Sequence, residues 1–153
     1  MTGSTFDPNT FLDGSVEGQF ETNYTPYPPK EYTGMIKSVA AREAAGQTVL
    51  DIIWIILDEK LKADMNMDEC QVRQGIFLDI EPSGALAFGA NKNVDLGRLR
   101  AAVGQDDPRK PWAPRMLIGA GPATINVINK PDKNDPAKLY NNVKGVTKYK
   151  AAA

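Results

Sequence analysis

Apolar and polar residues alternate along most of the chain with the period of two that is typical of β-strands. Residues 72–81 place mainly apolar side chains at every second position, which predicts a strand with one buried face. Residues 48–59 are rich in β-branched side chains and apolar on both faces at their centre, which predicts a central strand. Residues 32–41 form a further predicted strand, and the Ala-Ala-Gly-Gln turn after it predicts an antiparallel pair. Residues 60–69 are predicted to form a charged connection that can include one helical turn. Residues 86–88 are predicted to form a short strand after the turn that follows residue 81.

A helical pattern stands out at one place, in residues 94–103. Asn93 before it is a good N-cap residue, and Gly104 after it is a good C-terminal stop. The last two predicted strands, 123–129 and 139–149, flank a polar, proline-containing loop. Five or six strands with this single helix before the last pair predict a mainly β fold: a small antiparallel barrel or sandwich, OB-like in its element order.

The first 31 residues differ from this β-rich domain of residues 32–150 and read as an extended, irregular arm. Glycines and prolines interrupt any regular element there, and five acidic residues stand against one lysine. Large apolar side chains are scattered along the arm with no helical or strand period, which suits a segment that lies against a partner's surface or against its own domain. They are Phe6, Phe11, Leu12, Phe20, Tyr24 and Tyr27.

Composition narrows the range of functions. The chain has 153 residues, a net charge of −1 and no histidine, which excludes histidine-based triads and most catalytic zinc sites. Cys70 is the only cysteine and reads as a small buried apolar residue. The longest apolar run, residues 52–57, is far too short to cross a bilayer. We therefore expect a binding protein and no enzyme, with no metal, cofactor or membrane partner.

Basic residues are concentrated near the C-terminus, where residues 108–150 hold nine lysines and arginines against two aspartates. Binders of single-stranded nucleic acid combine such charge with aromatic side chains on which bases stack. Tyr140, Lys144 and Lys148 share one alternation parity on the last strand. The full set of candidates is Arg73, Phe77, Lys130, Lys133, Tyr140, Lys144 and Lys148. The alternative is that these lysines only solubilise exposed strand faces.

Several segments resemble small proteins of tailed bacteriophages. They are FDPNTFL and YTPYPPKEYTGMI in and after the arm, VRQGIFLDI, NVDLGRLRAAVGQ with PW shortly after, and KPDKNDPAKLYNNVKGV. Together they span nearly the whole chain, and no catalytic residue accompanies them. The layout is similar both to capsid cement or decoration proteins and to OB-type single-stranded DNA-binding proteins of phage replication.

The resemblance implies two alternative functions. The favoured expectation is a capsid cement protein in the virion, whose arm and β-domain bind the major capsid protein, further copies of itself, or both. The alternative is a protein of the host cytoplasm that coats single-stranded DNA during replication or recombination.

Overall fold

The computed structural model describes residues 6–150, so the first five residues of the predicted arm lie outside it. The strands are β1 (Lys30–Ala44), β2 (Gln47–Ile56), β3 (Cys70–Leu78), β4 (Ala123–Pro131) and β5 (Leu139–Lys148). The helices in this part of the chain are α1 (Pro8–Leu12), α2 (Glu59–Met65) and α3 (Val94–Ala102), with a 3-10 turn at Pro114–Leu117.

All five strands belong to one antiparallel sheet in the order β3-β2-β1-β4-β5. The two strands at the ends of this order, β3 and β5, come into contact, so the sheet curls into a barrel-like shape. Helix α3 follows β3 in the chain and packs against β3 and β5. The predicted mainly β, OB-like fold with a helix before the last strand pair is therefore confirmed.

The hairpin between β1 and β2 has the predicted antiparallel register, with Ala44 paired to Gln47. Its two loop residues, Ala45 and Gly46, have φ angles of 52° and 78°. Positive φ at both positions is the geometry of a type I′ turn, whose twist matches that of the flanking strands. Alanine has a Cβ that opposes this conformation, so glycine or asparagine would fit position 45 better.

The core lies inside the curled sheet and is closed by α3. In β2 the side chains of Ile52, Trp54 and Ile56 are fully buried. The indole N–H of Trp54 donates to the side-chain oxygen of Gln74 at 2.9 Å, so the buried polar atoms of both residues are paired. Gly34 of β1 is buried beside Trp54, where a methyl group would lie 3.1 Å from the indole ring.

Three local expectations differ from the structure. Strand β2 ends at Ile56, because Asp58 caps the start of α2 by accepting from the backbone N–H of Leu61 at 3.1 Å. Residues 86–88 form no strand, and only an isolated bridge joins Leu86 to Ile80. The arm is not wholly irregular, since α1 forms a capped turn of helix in it.

Asn93 precedes α3 as predicted, but it does not cap the helix with its side chain. Its amide instead accepts from the backbone N–H of Asp79 at 2.8 Å and donates to the carbonyl oxygens of Asp79 and Ala87, both at 2.9 Å. The side chain thereby holds the segment that follows β3 in place. These hydrogen bonds form in place of the N-cap bond to α3.

Candidate nucleic-acid interface and the exposed arm

A concavity of about 650 Å³ opens where β3 approaches the loop between β4 and β5. Four of the predicted nucleic-acid residues line it, and we call this group the basic concavity: Arg73, Lys130, Lys133 and Tyr140. Lys130 and Tyr140 face each other as partners in the β4–β5 ladder, whereas Arg73 comes from β3. The curling of the sheet therefore brings together residues that are far apart in the sequence.

Arg73 is held in place by a carboxylate on the neighbouring strand. Its guanidinium donates from Nε to Asp51 of β2 at 3.0 Å, and Asp51 also pairs with Arg42 of β1. Burial opposes ionisation of Asp51, but the hydrogen bonds from Arg42 and Arg73 outweigh it and hold the pKa of the carboxyl below its ordinary value. Asp51 is thus charged at neutral pH and orients an arginine that remains half exposed.

Tyr140 presents a partly exposed ring at the opposite wall. Its hydroxyl donates to Asp132 at 2.7 Å, and the ammonium of Lys138 lies 5.4 Å from the ring centroid. The Tyr140 hydroxyl and the backbone N–H groups of Asn134 and Asp135 lower the pKa of Asp132. The loop therefore carries the carboxylates of Asp132 and Asp135 among its lysines.

A second depression of about 470 Å³ adjoins the basic concavity and shares Arg73, Tyr140 and Asn141 with it. Its lining adds Tyr24 and Tyr27 from the end of the arm. Because they share these three residues, we call the two depressions together the groove; it lies where β3 and β5 meet and has tyrosine rings in its lining.

Three predicted nucleic-acid residues lie outside the basic concavity. Phe77 is 64% exposed on β3, but it is four residues beyond Arg73, about 13 Å along the strand. Lys144 lines a different depression beside α3. The register of β5 shifts at Lys144, where Val127 pairs with Val143 and Asn126 with Gly145. This β-bulge reverses the alternation, so Tyr140 and Lys148 do not share one face as the simple period predicts.

The arm has two distinct parts in the structure. Five of its six predicted anchors remain exposed: Phe6, Phe11, Leu12, Phe20 and Tyr24. The sixth, Tyr27, is 4% exposed and belongs to the core of its own barrel. The structure thus places Tyr27 as the attachment of the arm, whereas Phe11, Leu12, Phe20 and Tyr24 stay largely exposed to solvent.

Tyr27 joins the two strands that close the barrel. Its hydroxyl donates to the carbonyl oxygen of Gln71 in β3 at 2.8 Å, and its backbone N–H donates to the side chain of Asn141 in β5 at 2.8 Å. Asn129 of β4 donates to the carbonyl oxygen of Tyr27 at 3.1 Å. Sequence reasoning missed both asparagines, because a lone asparagine on a strand carries no local signal for a contact about a hundred residues away.

Cys70 is fully buried, as predicted, and burial raises the pKa of its thiol. Within residues 6–150, no cluster of three or more acidic, cysteine or histidine side chains has the arrangement needed to hold a metal ion. In the same part of the chain, every helix is too short or too polar to cross a membrane.

No family model matches the chain, and no curated protein matches it at a significant level of similarity. The resemblance to phage proteins therefore stays a prediction from the sequence, and function has to be argued from the groove and the arm.

Proposed function

We propose that this protein binds single-stranded DNA along the groove that contains the basic concavity. The observation that carries the proposal is the convergence of Arg73, Lys130, Lys133 and Tyr140, from three strands and a loop, in one concavity of about 650 Å³. Cations beside an exposed aromatic ring are the combination that single-strand binders use for phosphates and bases.

The position of this concavity also supports the proposal. OB-fold barrels bind oligonucleotides on the face of strands 2 and 3 and on the loop between strands 4 and 5. Here Arg73 lies on β3, is oriented by Asp51 of β2, and faces Lys133 of the β4–β5 loop. In this arrangement the three cations contact phosphates, and the ring of Tyr140 stacks on a base after the Lys138 ammonium moves off its face.

The electrostatics favour local over long-range attraction. The chain as a whole is slightly acidic, so it does not attract a polyanion from a distance. Asp132 lines the concavity beside three cations, and the charge of Asp51 is shared between Arg73 and Arg42, so a net positive field remains within the screening length of about 8–10 Å. We therefore expect moderate affinity that falls steeply with salt.

The test is fluorescence anisotropy of a labelled 20-nucleotide oligo-dT with the full chain. A triple variant of the concavity (Arg73→Gln, Lys130→Gln, Lys133→Gln) should lose at least tenfold in affinity, because each cation neutralises one phosphate. The matched control removes an arginine and two lysines from α2 and α3 (Lys60→Gln, Lys62→Gln, Arg98→Gln) and should change affinity less than threefold. Equal losses in the two variants, or no binding by the unaltered chain at low salt, would overturn the proposal.

The exposed arm supports a second candidate function, that of a capsid cement protein. Phe11, Leu12 and Phe20 are between 65% and 76% exposed, and exposed apolar anchors are typical of interaction sites. Co-sedimentation with tailed-phage capsids that lack accessory proteins tests this candidate. The unaltered chain should pellet with capsids, and a Phe11→Ser/Phe20→Ser variant should remain in the supernatant. Absence of the unaltered chain from the pellet would refute it.

A further inference from the structure

Residues 6–13 of the arm form a preformed apolar surface, which we call the arm knob. Asp7 accepts from the backbone N–H of Asn9 at 3.0 Å and from the hydroxyl of Thr10 at 3.1 Å, which fixes the start of α1. The ring centroids of Phe6 and Phe11 are 5.3 Å apart, and Leu12 beside them is 76% exposed. The helical turn thus presents apolar side chains together with carboxylates, and it contributes no residue to the core of its own barrel.

A second surface, which carries positive charge, lies beside α3. A cleft of about 460 Å³, which we call the α3 cleft, is formed by α3 and the segments on either side of it. Phe88 on its wall is 87% exposed, and Trp112 is partly buried. Lys92, Arg100 and Lys110 line it with positive charge, against the single carboxylate of Asp106.

The Trp112 wall of the α3 cleft is held rigidly by neighbouring side chains. The guanidinium of Arg100 lies 4.4 Å from the ring centroid of Trp112. Gln105 accepts from the indole N–H of Trp112 at 2.8 Å, and its carbonyl oxygen accepts from Arg100 at 3.0 Å. The Trp112 ring is therefore held in one orientation, while Phe88 opposite it stays exposed to solvent.

We propose that the arm knob of one copy of this chain docks in the α3 cleft of a second copy. The apolar side chains of the knob, Phe11 and Leu12 among them, fill a cleft with aromatic walls, while Asp13 of the knob and Glu17, four residues beyond it, face Lys92 and Lys110. One surface is acidic and apolar and the other basic and apolar, so they complement each other in both charge and hydrophobicity.

The arm is long enough to reach a neighbouring copy. Fourteen residues lie between Leu12 and the attachment at Tyr27, and these fifteen Cα–Cα steps span at most about 50 Å when fully extended. Each copy offers one knob and one cleft, so the contact is head-to-tail and joins copies in a row or a ring. The contact involves one helical turn and one cleft, which is typical of interfaces below about 1,200 Å², and we expect micromolar or weaker association.

Sedimentation velocity of the full chain over a concentration series tests the proposal without any nucleic acid, so its outcome is separate from that of the DNA-binding test. The unaltered chain should self-associate, and Phe11→Ser/Leu12→Ser in the knob or Lys92→Glu/Lys110→Glu in the cleft should each weaken association at least tenfold. A chain that carries Lys92→Glu/Lys110→Glu together with Asp13→Lys/Glu17→Lys should self-associate again, because the charges on both surfaces are then reversed. The matched control, Phe77→Ser, alters an equally exposed ring elsewhere and should have no effect.

Acrylamide quenching of tryptophan fluorescence identifies the surface involved. Trp54 is fully buried, so quenching reports mainly on Trp112 in the cleft, and it should decrease as the chain associates. A chain that stays monomeric up to about 1 mM, or association that persists in both the knob and the cleft variants, would overturn the proposal. Quenching that is low in the monomer and rises in the Phe11→Ser/Leu12→Ser variant would also overturn it, because the arm would then occupy the cleft of its own chain.

Discussion

Replacement of Tyr27 by alanine should destabilise the barrel far more than the same change three residues earlier. Tyr27 is 4% exposed and bonds to both strands that close the barrel, whereas Tyr24 is 86% exposed. Truncation of a buried aromatic residue costs about 3–5 kcal/mol, and a change at an exposed site stays within about 0.5 kcal/mol. Taking the lower value for Tyr27, the midpoint Tm should fall by about 6–12 °C, at about 2–4 °C per kcal/mol for a chain of this length.

Urea unfolding, followed by tryptophan fluorescence, measures both free energies. Tyr27→Phe keeps the ring and removes only the hydrogen bond to Gln71, so it should cost about 1 kcal/mol. Losses for Tyr27→Ala and Tyr24→Ala that agree within error would refute the inference that Tyr27 attaches the arm and closes the barrel.

Tyr27 should also make the free energy of unfolding depend on pH in the alkaline range. Burial raises the pKa of Tyr27 to about 12, whereas the unfolded phenol titrates near 10. A raised pKa means that the neutral phenol stabilises the folded state fully below pH 10 and that this contribution is lost as the pH rises through 12. The advantage of the unaltered chain over Tyr27→Phe should therefore shrink between pH 10 and pH 12. A constant difference across that range would contradict the assignment.

Two substitutions and one labelling experiment test the core and the first hairpin. Gly34→Ala should destabilise the fold by about 1–3 kcal/mol in urea unfolding, because the new methyl group would meet the side chains of Ile125 and Trp54 at 3.0 and 3.1 Å; a neutral result would contradict this packing. Ala45→Asn should raise stability by about 0.5–1 kcal/mol in the same assay, since asparagine tolerates the observed φ of 52°; a loss would argue against the type I′ turn. Cys70 should react with iodoacetamide at least a hundredfold more slowly in native buffer than in urea, as its thiol is buried and its pKa raised; equal rates would show that it is accessible.

The sequence predicts the strands well because their signals are local. The alternation in β3 determines which face is buried, the β-branched run in β2 predicts a central strand, and the glycine after Ala45 marks the hairpin. Helix α3 was also predictable, from the helical spacing of its apolar residues and from the residues before and after it. Its start shows the limit of that reasoning, because Asn93 has its best hydrogen-bond partners at Asp79 and Ala87 and not in its own helix.

The candidate site was predictable only in part. The sequence indicates Arg73, Lys130, Lys133 and Tyr140 by residue type, but their proximity depends on the curling of the sheet. The bulge at Lys144 cannot be read from the alternation that it interrupts. Arm positions such as Tyr24 and Tyr27 look alike in the sequence, and only partners on distant strands distinguish the buried ring from the exposed one.

The most direct test of the proposed function is the salt dependence of oligo-dT binding, measured by anisotropy from about 20 to 200 mM NaCl. For single strands, the slope of log affinity against log salt changes by about 0.7 for each phosphate that a cation neutralises. We predict that the triple variant at Arg73, Lys130 and Lys133 has a slope shallower by about 2 than that of the unaltered chain. An unchanged slope, or one that falls equally in the control variant of α2 and α3, would contradict the assignment of the basic concavity as the DNA site.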